Sequence, residues 1–454
     1  MVRSSRPIIM LLLFLTPTLA AAQTPQPTKT TQTVRACDYI PGVSVPAVMP
    51  KDLANPPTVT PVPTAIPFTP TKVDAKTAAL HLQVYNKLWN AVNDHYVYTN
   101  FNGHDWKAIG AKYEALVKKG LSQTDFDLAM ERMIAELGDN HSYFATPAEI
   151  QKETTLIASQ YNYVGIGALV LPIIGTQHGA IMTVFPKSPA SDAGLKPHDS
   201  LLEVDGGPMQ DANGKGRTLG LEGTKVTIKV QRPGEQARDL TLTRQRVSSS
   251  LPIDYCIVPT TRIGYIFLPT FLDDTIDSQV EDALRKMTST KPLQGLILDN
   301  RMNTGGTATT ANGVMDLFAS GDQGEFISRD NKEPLKLVAH DVGGSQTVPL
   351  VVLVDVNTVS YGEIVSGVLR LAGRATIIGG TTLGNVERLF AYDMPDGSRL
   401  WLASETFQPR GEANGIWEET GIIPDISVPT RWDLFTEAND PALARAVDFL
   451  THHK

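Results

Sequence analysis

After Ser250 the chain repeats one pattern: a short apolar run, a turn, and then a stretch of helical period. Ile263 to Leu268, Leu296 to Leu298, Leu350 to Val354 and Ala375 to Ile378 are such runs. A strand that is apolar at nearly every position must be covered on both faces, and helices between successive strands supply that cover. The spacing predicts helices over 277–287 and 363–371, the second closed by Gly373. Residues 249–454 are therefore expected to form an α/β core.

Upstream the texture changes. Leu80, Val84, Leu88 and Val92 recur every four residues, and Phe126, Ala129, Met130, Met133, Ile134 and Leu137 follow an i, i+3, i+4 pattern. These define a helical region over 73–155, with Asp139-Asn140-His141-Ser142-Tyr143 in a loop past a helix end. From 156 to 248 short strands alternate with turns, enough for one small β-rich domain. Residues 23–72 are rich in Thr, Pro and Ala and read as a linker. At the start, Arg3 and Arg6 precede the apolar run Ile8 to Leu15 and an Ala20-x-Ala22 site. That is a signal peptide over 1–22, too short for the ~20 residues that span a bilayer. The expected location is extracytoplasmic, periplasmic or secreted, with no membrane anchor after cleavage. Export permits a Cys37–Cys256 disulfide; the sequence leaves a bridge and two free thiols both open. A net charge of −8 without basic stripes gives no sign of a nucleic-acid partner.

Ser360 lies between an apolar strand and a helix, where backbone N–H groups face outward. A serine there fits a nucleophile, but with Glu363 three residues on it fits still better a capping box, because S-x-x-E is a common helix start. Gly305-Gly306, after another buried strand, can offer an N–H to a developing oxyanion or simply make a turn. His141 is a candidate base or a surface histidine. Glu418 can orient such a histidine or sit in a solvated acidic turn. No His-Glu-x-x-His, paired cysteines, calcium loop or phosphate loop occurs, so neither a metal nor a cofactor is expected.

Three segments, Leu298-Asp299-Asn300-Arg301-Met302-Asn303-Thr304-Gly305-Gly306, Thr358-Val359-Ser360-Tyr361-Gly362-Glu363-Ile364 and Gly421-Ile422-Ile423-Pro424-Asp425, stand in one order. With the 139–143 loop they resemble the tail-specific, or C-terminal processing, serine peptidases and their tricorn-like branch. The resemblance implies a crotonase-like strand–helix core, an N-terminal helical region and an inserted PDZ-like domain. It implies Ser360 as nucleophile and the N–H groups of Gly305 and Tyr361 as oxyanion donors. Val164-Gly165-Ile166-Gly167 is similar to the family loop that binds a peptide C-terminal carboxylate. One departure matters: where the processing peptidases carry a basic lysine, this chain has Asn385, and no lysine occurs between Lys336 and Lys454. The tricorn-like branch implies His141 as base and Glu418 as its orienter instead. The expected function is an exported serine endopeptidase for unfolded or tail-exposed polypeptides, with the substrate C-terminus as a candidate handle. A non-catalytic peptide- or apolar-ligand-binding protein and a small-substrate esterase are the alternatives.

Overall fold

The computed structural model describes residues 34–42, 68–139, 141–151, 162–173, 176, 178–211, 216–411 and 417–452. The signal peptide expected over 1–22 lies outside them. The core is a seven-stranded sheet in the order 35–36, 255–257, 263–267, 295–299, 350–354, 375–379, 426–427. Neighbours are parallel except the antiparallel pair 255–257 and 263–267. Alternation divides each strand between two apolar layers. Leu296, Leu298, Leu350, Val352 and Ile377 face the helices Ile276–Thr288, Ala308–Asp316 and Tyr361–Leu371. Tyr265, Phe267, Ile297, Val351 and Leu353 face Trp432 and the C-terminal helix Pro441–His452. Each fully buried aliphatic side chain contributes about 1.5–3 kcal/mol, so double burial rather than strand propensity fixes these elements.

The helical region forms from Ala75–His95, Trp106–Lys118 and Gln123–Ala135 around a core of Val84, Leu88, Tyr113, Phe126 and Met133. Ser122 caps the third helix by accepting from the Asp125 N–H, as the sequence pattern predicts. The helix Trp106–Lys118 is absent from the reading above, although Trp106, Ile109, Tyr113 and Val117 all lie on its buried face.

A second sheet, unread in the sequence, orders 332–337, 321–327, 399–409 and 388–393. Strand Tyr143–Ala145 adds to it, pairing with 399–401. This pairing brings the loop of His141 from the helical region onto the core. The β-rich stretch is a five-stranded antiparallel sheet (168–172, 179–184, 200–204, 225–231, 238–243) with its own apolar centre. Within the expected linker, residues 34–42 join the core: Arg35–Ala36 pairs with 256–257, and Cys37 is disulfide-bonded to Cys256.

Candidate active site

Ser360 follows the strand Leu350–Val354 and precedes the helix Tyr361–Leu371. Its backbone has φ 57° and ψ −125°, a conformation non-glycine residues rarely take and one that costs about 1–3 kcal/mol. An ordinary helix N-cap is extended and needs no such strain. The residues of a capping box are in place, with the Glu363 carboxylate accepting from the Ser360 N–H at 3.2 Å. In the other half of the box the Glu363 N–H approaches the Ser360 side chain, while it donates to the Ser360 carbonyl at 2.9 Å. The strained backbone thus sets the serine at a rigid strand–helix junction.

Two backbone segments close around it. A Cβ placed on Gly305 would lie 2.8 Å from Ser360 Cβ, 3.1 Å from Ser360 Oγ and 3.0 Å from the Tyr361 nitrogen. The glycine keeps open a space bordered by the serine hydroxyl and a helix N-terminal amide. The Gly305 N–H itself donates to Asn303 Oδ1 at 2.9 Å. Among the described residues no hydrogen bond occupies the N–H of Tyr361 or of Gly306. Of the two oxyanion donors the resemblance implies, Tyr361 is thus free and Gly305 is engaged, with Gly306 beside it available.

Below the serine lies the loop 382–387. Glu363 is fully buried, and its carboxylate accepts from Thr382 Oγ1 and from the N–H groups of Gly384 (2.7 Å) and Asn385 (2.8 Å). Burial still pushes its carboxyl above the ordinary range. The anchored loop returns the Asn385 carbonyl to the Ser360 N–H at 2.9 Å. Asn385 therefore stands at the serine, where its amide side chain cannot act as a base.

Two residues further, a span of about 7 Å in extended chain, Glu387 meets His141. His141 Nδ1 lies 3.4 Å from Glu387 Oε2. The His141 loop is held by the Asp139 carboxylate, which accepts from the N–H groups of His141 and Ser142. The Ala403 N–H, in turn, donates to Ser142 Oγ. Glu418 joins the group: its carboxylate, Glu387 and His141 offer atoms all within 4.8 Å of one another. Glu418 also accepts from the Val386 N–H at 2.8 Å. The structure thus brings Ser360, Gly305 and Tyr361 together, and separately His141 and Glu418, with the loop 382–387 linking the groups. The carboxylate nearest His141 is Glu387, which the sequence reading missed. Its one legible sign is the i, i+2 relation to Asn385, which places both on one side of an extended segment.

Burial and the facing Glu387 carboxylate push the Glu418 carboxyl up to about 8. Between its ordinary value of 4.5 and about 8, the folded protein holds a proton that the unfolded chain has released. The stability this group contributes is complete below the lower value and is lost as pH rises to the upper one. Glu418→Gln, which cannot ionise, should gain roughly 2–4 kcal/mol relative to wild type between about pH 5 and pH 8.5. Urea midpoints at both pH values check this; the same difference at both would refute it.

The loop Val164 to Gly167 lies in the β-rich module, far in sequence from Ser360. The Ile166 carbonyl accepts from the Ala190 N–H at 2.8 Å and the Gly167 carbonyl from the Phe185 N–H at 2.9 Å. Among the described residues the N–H groups of Ile166 and Gly167 carry no hydrogen bond. Among the described residues the following strand 168–172 is an edge, paired only with 179–184.

Strand–helix core, strained serine and open amide pocket together are the parts of an acyl-transfer hydrolase, and comparison with known proteins makes the class a serine peptidase. More particularly, residues 262–428 match Peptidase family S41 and residues 78–135 match the Tricorn protease C1 domain. The chain is similar to the carboxyl-terminal-processing proteases. It is 28% identical over 368 residues to carboxyl-terminal-processing peptidase 3 of Arabidopsis thaliana, chloroplastic, covering 75% of this chain and 68% of that one. Against the carboxyl-terminal-processing protease of Synechocystis it is 28% identical over 375 residues, 80% and 85% of the two chains. The carboxy-terminal processing protease CtpB of Bacillus subtilis matches at 28% over 335 residues, 70% and 67% of the chains. The fold is that of the photosystem II D1 C-terminal processing protease, with a TM-score of 0.56 at 23% identity, covering 82% of this chain and 100% of that one.

Proposed function

We propose that the protein is an exported serine endopeptidase that cleaves unfolded or tail-exposed polypeptides through an acyl-enzyme, using a histidine base in place of a lysine. The observation that carries this is Ser360: strained, and beside the free Tyr361 N–H in a space only glycine at 305 leaves open. Ser360 Oγ attacks the scissile carbonyl while His141 takes its proton. The oxyanion forms against the helix N-terminus at Tyr361 and the Gly305-Gly306 turn. His141 then gives the proton to the leaving amine, and water, deprotonated by the same imidazole, releases the acyl group. With Nδ1 toward Glu387, the Nε2 atom is the one left for this transfer, and Glu387 with Glu418 behind it holds the ring.

Substrate entry is assigned to the β-rich module, read as PDZ-like. Carbonyls tied down at Ile166 and Gly167 leave the N–H groups on the opposite side for a terminal carboxylate. The edge strand 168–172 can then accept the extended peptide by main-chain pairing. The Cys37–Cys256 bridge supports an oxidising, extracytoplasmic location. Labelling the purified protein with a fluorophosphonate and mapping the adduct tests the assignment. An adduct on Ser360 that disappears in His141→Ala is expected; a labelled His141→Ala protein would overturn the histidine base.

A further inference from the structure

His141, Glu387 and Glu418 bring one imidazole and two carboxyl groups together in a part of the fold largely shielded from water. The Glu387 side chain is fully buried and, although the Tyr98 hydroxyl stands beside it, neither carboxylate oxygen makes a hydrogen bond of good geometry among the described residues, and neither does His141 Nδ1. A buried carboxylate without donors costs several kcal/mol unless a cation or proton meets it. Glu418 faces it. No lysine or arginine ion-pairs with Glu387 or Glu418 among the described residues, and Arg388, next in sequence, is committed to Glu333, Glu405 and Tyr361.

One of the spacings already matches a metal site. A tetrahedral zinc ion with bonds of about 2.0–2.2 Å separates its ligand atoms by about 3.3–3.6 Å. His141 Nδ1 and Glu387 Oε2 are 3.4 Å apart, with the third ligand atom, from Glu418, within 4.8 Å of both. One imidazole and two carboxylates make a borderline-to-hard donor set that zinc accepts with three protein ligands. The geometry points to a zinc site formed by His141, Glu387 and Glu418, whose occupation silences Ser360. Sequence spacing gives no hint of it, because the ligands come from three distant segments that meet only in the fold. A metal on Nδ1 takes the place of the orienting carboxylate and fixes the imidazole as a ligand instead of a base. The silencing rests on the peptidase reading; the binding does not.

The test separates the two. Metal-stripped Ser360→Ala protein, which has no nucleophile, is titrated with Zn2+ by calorimetry and with Co2+ by visible absorption. One equivalent of each should bind, with cobalt d–d bands of four- or five-coordinate intensity. Glu387→Gln and Glu418→Gln, both nearly isosteric, should each weaken zinc roughly 100-fold or more. His178 or other histidines binding zinc would leave that affinity unchanged. In wild type, Zn2+ should block fluorophosphonate labelling of Ser360, and a chelator should restore it. Absence of saturable Zn2+ binding to Ser360→Ala, or binding indifferent to both glutamine variants, would overturn the site. Failure of chelated wild type to label would instead sink the peptidase reading and leave the zinc site standing.

Discussion

Ser360→Ala is expected to lower peptide hydrolysis by about 10⁴-fold or more, and adding His141→Ala to it should cost almost nothing further. A nucleophile and its base act as one unit, so removing either removes the covalent route, and the second loss has little left to remove. What should persist is the weak catalysis of an oxyanion site and bound substrate alone. The prediction is sharp here because Asn385 occupies the loop position beside Ser360 and accepts its N–H through the carbonyl. With no lysine between Lys336 and Lys454, a hidden dyad cannot rescue the His141 variant. Steady-state rates on an unfolded polypeptide, compared across the two single variants and the double, decide it. Multiplicative losses would mean that His141 works on something other than the serine. A fully active Ser360→Ala protein would move the chemistry elsewhere altogether.

The parts of the molecule that could be read from sequence share one physical cause. Strands 263–267, 295–299 and 350–354 are buried on both faces, so their apolar runs are unbroken and hard to mistake. The helices Ala75–His95 and Gln123–Ala135 bury one face against a common core, which writes a helical period. The second sheet left no such trace. Lys332–Leu337 and Arg388–Asp393 mix charged with apolar residues because much of their surface meets water or ion pairs such as Arg388–Glu405. That sheet is nonetheless what carries His141 to the core, through the pairing of 143–145 with 399–401. At the site itself, Ser360, Gly305 and Tyr361 were legible because strand-to-helix turns fix them locally. Whether Ser360 caps the helix or reacts was not, since S-x-x-E describes both. Glu387 was invisible for the opposite reason: its meaning comes from a contact across the fold.

That contact sets the second large effect. Glu387→Gln should lower hydrolysis by about 10³- to 10⁴-fold, and Glu418→Gln by clearly less. The carboxylate touching the imidazole fixes which nitrogen carries the proton and stabilises the imidazolium that forms as Ser360 attacks. Glu387 holds that position at 3.4 Å from Nδ1, with a side chain fully shielded from water, where an opposite charge interacts most strongly. Glu418 accepts from the Val386 N–H and, with its carboxyl pushed up to about 8, is largely uncharged at neutral pH. A neutral carboxyl stabilises an imidazolium poorly, so its loss should fall mainly on the stability of the loop. Measuring kcat/KM for both variants in chelator, with urea midpoints alongside, separates the roles. If Glu418→Gln proves the more damaging of the two, the orienting part belongs to Glu418, and Glu387 serves to hold the proton on its neighbour.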